Sequence, residues 1–155
     1  MPETQLLGGE PSNASQFIFE VDGVTIGVFR EVSGLELTVG VEEYAEGGEN
    51  GYVHRFPGRM RWPNIVLRRG LIESDALFDW VSKSAGEGFA ANDNKLTRTT
   101  GAVTVVNWQG QRLRTWQFND VFAVRWTGPQ LNVDSEQMLE ESLEIAHHGF
   151  KSRTP

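Results

Sequence analysis

The stretch QFIFEVDGVTIGVF, residues 16–29, decides how the rest of the chain is read. Phe17, Phe19 and Val21 alternate with Gln16, Ile18 and Glu20, and beyond Asp22-Gly23 the alternation resumes with Val24, Ile26 and Val28. A period of two belongs to strands, whose successive side chains leave the backbone on opposite sides. Asp-Gly between two such runs predicts a tight hairpin, because both turn positions need positive φ. Outward from this hairpin, Leu35, Leu37, Val39 and Val41 share one face while Glu36, Thr38 and Glu42 share the other, which predicts a half-buried strand with a wet side. AEGGENG, from Ala45 to Gly51, predicts a loop. Tyr52 to Phe56 predicts an extended segment broken by Pro57-Gly58, and Asn64 to Arg69 another short strand. Ala102 to Trp108, Gln111 to Phe118, Val121 to Trp126 and Gln137 to His147 read as four more, with turns at Gln109-Gly110 and Asn119-Asp120.

Between Ser74 and Ala85 the period changes. Leu77, Trp80 and Val81 fall at i, i+3, i+4 and Asp75, Asp79 and Lys83 line the opposite side, so one helix is predicted there, with Ser74 as its cap and Gly86 as its stop. Gly88 to Asn94 reads as a loop. Residues 1–15, rich in Gly, Pro, Ser and Asn, read as a flexible arm, residues 16–150 as one domain and residues 151–155 as a short tail. The fold class expected is mainly β, with a single helix.

Composition bounds the function. The 155 residues hold no cysteine, which removes disulfides, thiolate metal sites and cysteine nucleophiles and suits folding in a reducing cytoplasm. No run approaches the roughly 20 apolar residues of a membrane span, and the start of the chain lacks the pattern of a secretory signal. The net charge of −7 repels nucleic acid and anionic membrane.

No catalytic constellation is expected. His147 and His148 are adjacent in a predicted strand and point to opposite faces, so they cannot share a metal, and a solvated or interface pair is expected instead. Glu140, Glu141 and Glu144 read as a wet strand face rather than as paired catalytic carboxylates. Gly47-Gly48 with Gly51 is followed by neither Lys-Ser/Thr nor a helix start, so no phosphate cradle is expected. No cofactor and no metal are implied.

The informative pattern is charge order. Glu31, Glu36, Glu42, Glu43, Glu46 and Glu49 lie in a segment without Lys or Arg, whereas Arg55, Arg59, Arg61, Arg68 and Arg69 lie in the next segment, from Tyr52 to Gly70, without an acid. Arginines interleaved with Tyr52, Phe56 and Trp62 suit base stacking in principle, but opposite charges segregated along one chain suit pairing within the chain or across a subunit boundary better. A head-to-tail contact between such patches builds rings or filaments. The candidates for that boundary are Glu42, Glu43, Glu46, Gly47, Gly48, Glu49, Asn50, Gly51, Arg55, Arg59, Arg61, Arg68 and Arg69.

The ordered set Val32-Ser33-Gly34-Leu35-Glu36, Glu43-Tyr44 with EGGENG from Glu46, Pro57-Gly58-Arg59, Asn64 to Leu71 leading into the Trp80 helix, Trp116-Gln117-Phe118, and Glu141 to His147 with Gly149-Phe150 resembles the tail tube proteins of contractile-tailed phages and the inner tube proteins of contractile injection systems. It runs from about Phe17 to Phe150. The resemblance implies a β-sandwich or barrel-like tail-tube fold with one flanking α-helix, six copies closing into a ring and rings stacking into a hollow conduit. It implies a structural protein, not an enzyme, without a cofactor, whose partners are itself, sheath and baseplate proteins, and a cargo protein or DNA in the lumen. The subunit itself is not expected to insert into a membrane. Assembly is expected in the bacterial cytoplasm, the finished location being a phage tail or an injection particle. The rivals are a tube-initiating baseplate paralogue and a monomeric carbohydrate-binding module presenting Trp62, Trp108 and Trp126.

Overall fold

A computed structural model describes residues 14–45, 47–48, 51, 53–84, 99–134 and 136–154. Along the chain run β1 (Gln16–Val21), β2 (Val24–Phe29), β3 (Glu31–Ser33), β4 (Thr38–Tyr44), β5 (His54–Arg61), β6 (Ile65–Gly70), α1 (Ala76–Ser84), β7 (Thr99–Val106), β8 (Arg112–Thr127), β9 (Glu140–Ala146) and β10 (Phe150–Arg153). The predicted turn is present, with Asp22 at φ 50° and Gly23 at φ 80°, as a two-residue hairpin matched to strand twist requires.

The main sheet runs β2-β1-β7-β8-β9-β6-β3, with β10 also on β8, and every pairing in it is antiparallel. Only Arg30 separates β2 from β3, and its N–H donates to the Arg68 carbonyl at 2.9 Å. The two ends of the sheet are therefore halves of one bent strand, and the sheet curls back on itself like a barrel. Its inside is filled by Phe19, Phe29, Ile65, Leu67, Val103, Phe118, Val121, Leu143 and Ile145. Helix α1 covers the barrel with Leu77 buried and Trp80 and Val81 partly so, the face its periodicity predicted, and Trp80 meets Phe19 edge-on at 5.5 Å. The Ser74 hydroxyl reaches the Ala76 N–H at 3.5 Å. Gly86, the Gly88 to Asn94 loop and residues 1–13 lie outside the described residues.

Four expectations are corrected. Phe19 pairs with Gly27 but Glu20 with Thr25, so Ile26 is an extra residue in β2. This bulge re-aims the strand: Gly27 and Phe29 face the core while Val24 and Val28 are exposed. Asn119-Asp120 is no turn but lies inside β8, where Asp120 adopts φ 52°. Before this point β8 pairs with β10 along one edge, and after it with β9, so the break between β9 and β10 faces the irregular step in β8. Asn119 and His148–Gly149 bridge it by backbone bonds of 2.9 Å.

Pro57-Gly58 likewise fails to break β5. A proline lacks only the ladder donor, which an edge strand does not need on its open side. Finally, the strand expected from Leu35 begins at Thr38 and has no buried face. It pairs only with β5, as a two-stranded ribbon separate from the main sheet, and Val39, Val41 and Tyr44 are exposed.

Candidate subunit interface

The ribbon β4–β5 is where the segregated charges meet. Its register pairs Thr38 with Arg61, Val39 with Met60, Val41 with Pro57, Glu42 with Phe56, Glu43 with Arg55 and Tyr44 with His54. Two residues, Gly58 and Arg59, therefore stand opposite Gly40 in a bulge. Directly paired residues share a face, so one side carries Val39, Met60, Val41 and Pro57 with the Glu43/Arg55 pair towards the tip. The other carries Arg59 and Arg61 with Thr38, Glu42, Phe56, Tyr44 and His54, and the Phe56 and His54 rings stack at 6.3 Å. Thr38, Gly40, Val41, Glu42, Gly58, Arg59 and Arg61 line an open hollow of about 370 Å³ at the base of the ribbon.

A two-stranded hairpin alone is marginal in water. This one leaves Val39, Val41, Tyr44, Phe56 and Met60 in solvent, on a segment with no core of its own. An apolar ribbon of this kind marks a surface made to be covered.

Part of the charge pattern is satisfied inside the subunit. Glu43 and Arg55 approach to 3.6 Å on an exposed cross-strand site, worth a few tenths of a kcal/mol up to about 1 kcal/mol. Arg59 and Arg61 have no ion pair among the described residues. Arg68 lies on the exposed side of β6, across from Glu31 in β3. Gly47, Gly48 and Gly51 lie in the β4–β5 connection, and Glu46, Glu49 and Asn50 fall outside the described residues.

Arg69 differs from the other candidates. It is 3% exposed, and its Nε donates to Glu141, 6% exposed, at 2.5 Å. The second Glu141 oxygen accepts from Trp126 Nε1 at 3.2 Å, and the guanidinium lies 5.2 Å from the Phe29 ring centroid. A Cβ on Gly27 would stand 2.6 Å from Arg69 Nη1, so the bulge in β2 delivers a glycine where the buried cation needs room. Glu141 thus leaves the wet face assigned to it: β9 turns Glu141, Leu143 and Ile145 inward and leaves Glu140, Ser142 and Glu144 outward or at the margin.

His147 is also corrected, from a solvated residue to a buried one. Trp62, Phe118 and Phe150 surround it at ring distances of 6.0, 5.1 and 5.9 Å. Nδ1 accepts from the Gly149 N–H at 3.1 Å, which puts the ring proton on Nε2, facing the Pro63 carbonyl at 3.0 Å. Burial, with the neighbouring His148 adding to it, pushes its pKa below the ordinary 6.5 against the bond to the Pro63 carbonyl. A lowered folded-state value means that the unfolded chain takes up the proton first. Stability conferred by neutral His147 is therefore complete above about pH 6.5 and is lost as the pH falls from there through the lowered value. We expect thermal melts between pH 7.5 and 5 to fall less steeply for His147→Gln than for the wild type, although the variant starts lower. Parallel profiles would refute this.

Among the described residues no set of three His, Asp or Glu gathers as a metal would require, and no helix is long and apolar enough to cross a membrane. The tryptophans do not form a platform. Trp62 packs on Phe150 at 4.9 Å and Trp126 on Phe78 at 5.3 Å, which leaves Trp108, 80% exposed, alone on the β7–β8 turn.

The chain superposes on a protein of the sheath-tube complex of the extracellular contractile injection system PVC in its extended state, with a TM-score of 0.78 at 23% identity over 99% of this chain and 98% of that one. A chain in the tube-terminating cap of the anti-feeding prophage matches with a TM-score of 0.77 at 20% identity over the whole of both chains. Hcp1 from Flavobacterium johnsoniae matches with a TM-score of 0.50 at 16% identity, over 91% of this chain and 97% of that one. No curated protein matches the sequence. The family model of the T4-like virus tail tube protein gp19 matches residues 13–151, and the chain belongs to that family. It is a tail tube protein, a structural subunit, as the resemblance implied.

Proposed function

We propose that this chain is the main inner-tube subunit of a contractile tail or injection particle. Six copies close into a ring, and rings stack into a hollow conduit surrounded by a sheath and seated on a baseplate. Support comes from the family, from structural neighbours that include a sheath-tube complex and the baseplate of the anti-feeding prophage, and above all from one observation. The β4–β5 ribbon exposes apolar side chains on both faces and has no core beneath it among the described residues, so a second molecule supplies the missing contacts. A neighbouring copy of the same chain is the partner that makes the contact head-to-tail and therefore repeating.

The ribbon's side of the boundary carries Arg55, Arg59 and Arg61, Glu42, Glu43 and the Glu46 to Gly51 connection, with Arg68 also on the boundary, while Arg69 serves the subunit's interior. The subunit performs no catalysis. It assembles in the bacterial cytoplasm, residues 16–150 forming the tube domain, and protein or DNA passes along the lumen. Purified protein examined by size exclusion and negative-stain microscopy should contain rings and stacks of rings. A species that stays monomeric at high concentration and moderate salt, without rings, overturns the proposal.

A further inference from the structure

We infer that the acceptor for the β4–β5 ribbon is a ledge on a neighbouring copy of this chain, formed by the β6–α1 connection, the first turn of α1 and the β8–β9 connection. This rests on the reading of the chain as a tube subunit and names the surface its ribbon meets.

Two stretches distant in sequence build the ledge. Leu71 N–H donates to the Leu139 carbonyl at 3.0 Å, which ties the start of one connection to the end of the other, and Phe78 of α1 packs on Trp126 near the start of the second. Leu71, Ile72, Phe78, Leu131, Val133 and Met138 are all exposed there. The same segments, Leu71 to Ser82 and Thr127 to Glu141, contain no Lys or Arg. Their exposed acids Glu73, Asp75, Asp79, Asp134 and Glu136 have no ion pair among the described residues. Among the described residues the cations at its margins are Arg30, already bonded to Glu140, Arg68, which lines a hollow with Thr127, Gly128 and Glu140, and Lys83 at the far end of α1.

The ribbon is the complement of this surface. Its Arg59 face offers two guanidinium groups without carboxylate partners among the described residues, beside the aromatic rings of Phe56 and Tyr44. Of the acids first expected to receive these arginines, Glu43 is engaged with Arg55 in the ribbon itself and Glu31 stands across from Arg68, Glu36 and Glu42 have no ion pair among the described residues, and Glu46 and Glu49 lie outside them. The ledge holds the larger block of acids without an ion pair among the described residues. It also mixes those acids with apolar side chains, as the ribbon face mixes arginines with rings, and such matching fixes register and partner choice. The ledge and the ribbon are different patches, so the contact is heterologous and extends from copy to copy.

The test is a charge exchange. Glu73→Arg with Asp75→Arg should leave the subunit folded, with unchanged circular dichroism, and raise the concentration needed for ring or tube formation by about tenfold or more. Arg59→Glu with Arg61→Glu should do the same, and a mixture of the two variants, or all four substitutions in one chain, should recover assembly. If the arginine pair blocks assembly while the acid pair assembles normally, the ledge is overturned and the tube reading survives. If both pairs block and exchange gives no recovery, the pairing is again overturned, and each patch meets a different surface of a neighbouring copy. If the unsubstituted chain does not assemble at all, the tube reading itself fails.

Discussion

Arg59→Glu combined with Arg61→Glu is expected to yield a folded subunit that no longer closes or stacks rings. Both arginines project from the ribbon into solvent, without an ion pair among the described residues, so their reversal removes little from the subunit's own stability, within about 0.5 kcal/mol for surface positions of this kind. Assembly is different, because two positive charges become two negative ones on a face that already carries Glu42. Like charges brought together across a contact cost several kcal/mol, and in a ring the penalty recurs at every boundary. Sedimentation of wild type and variant at matched concentration, beside thermal melts of each, separates loss of assembly from loss of fold. Normal tubes with an altered cargo would place these arginines on the lumen wall and overturn the assignment.

The second large effect is on the fold itself. Glu141→Ala leaves Arg69 almost wholly buried with its cation unmatched, and removes the acceptor of Trp126 Nε1 as well. Breaking a buried pair from one side costs about 3–5 kcal/mol, a large part of the 5–15 kcal/mol that holds a typical domain together. At about 2–4 °C per kcal/mol for a chain of this size, the melting temperature should fall by on the order of 10 °C. Replacing both partners by apolar residues, Arg69→Met with Glu141→Leu, should recover most of the loss, since the desolvation penalty leaves with the charges. A double variant no better than Glu141→Ala would show that the bond to Trp126, rather than the ion pair, fastens this part of the barrel.

What the sequence made legible was local. The Asp22-Gly23 turn, the α1 face with Leu77, Trp80 and Val81, and the alternation of β6 each depend on neighbours a few residues away, and each is found in the structure. What it concealed depends on partners far along the chain. The extra residue at Ile26 reverses which side of β2 is buried, and only pairing with β1 reveals it. Val39 and Val41 have the alternation of a core strand, yet no second layer lies over them among the described residues, and a pattern of apolar residues does not say whether the layer covering it belongs to the same molecule. Arg69 and Glu141 are 72 residues apart, so each reads as a surface charge until the barrel brings them together. For the interface the charge order misdirected about Arg69, which is buried, because segregation of sign carries no information on depth.

The joining of Leu71 to Leu139 has a consequence for the order of events during synthesis. The ribbon is built from residues 38–61 alone, all of which leave the ribosome well before the ledge is complete. The ledge waits for the β8–β9 connection, and the barrel beneath it waits for β9, whose Ile145 pairs with Ile65. Chain growth runs at about 5–20 residues per second, so for several seconds a nascent subunit displays a ribbon while lacking the surface that receives one. On the proposed ribbon-to-ledge contact, unfinished chains on one message have no ledge to offer each other, and polymerisation would wait for completion of the subunit.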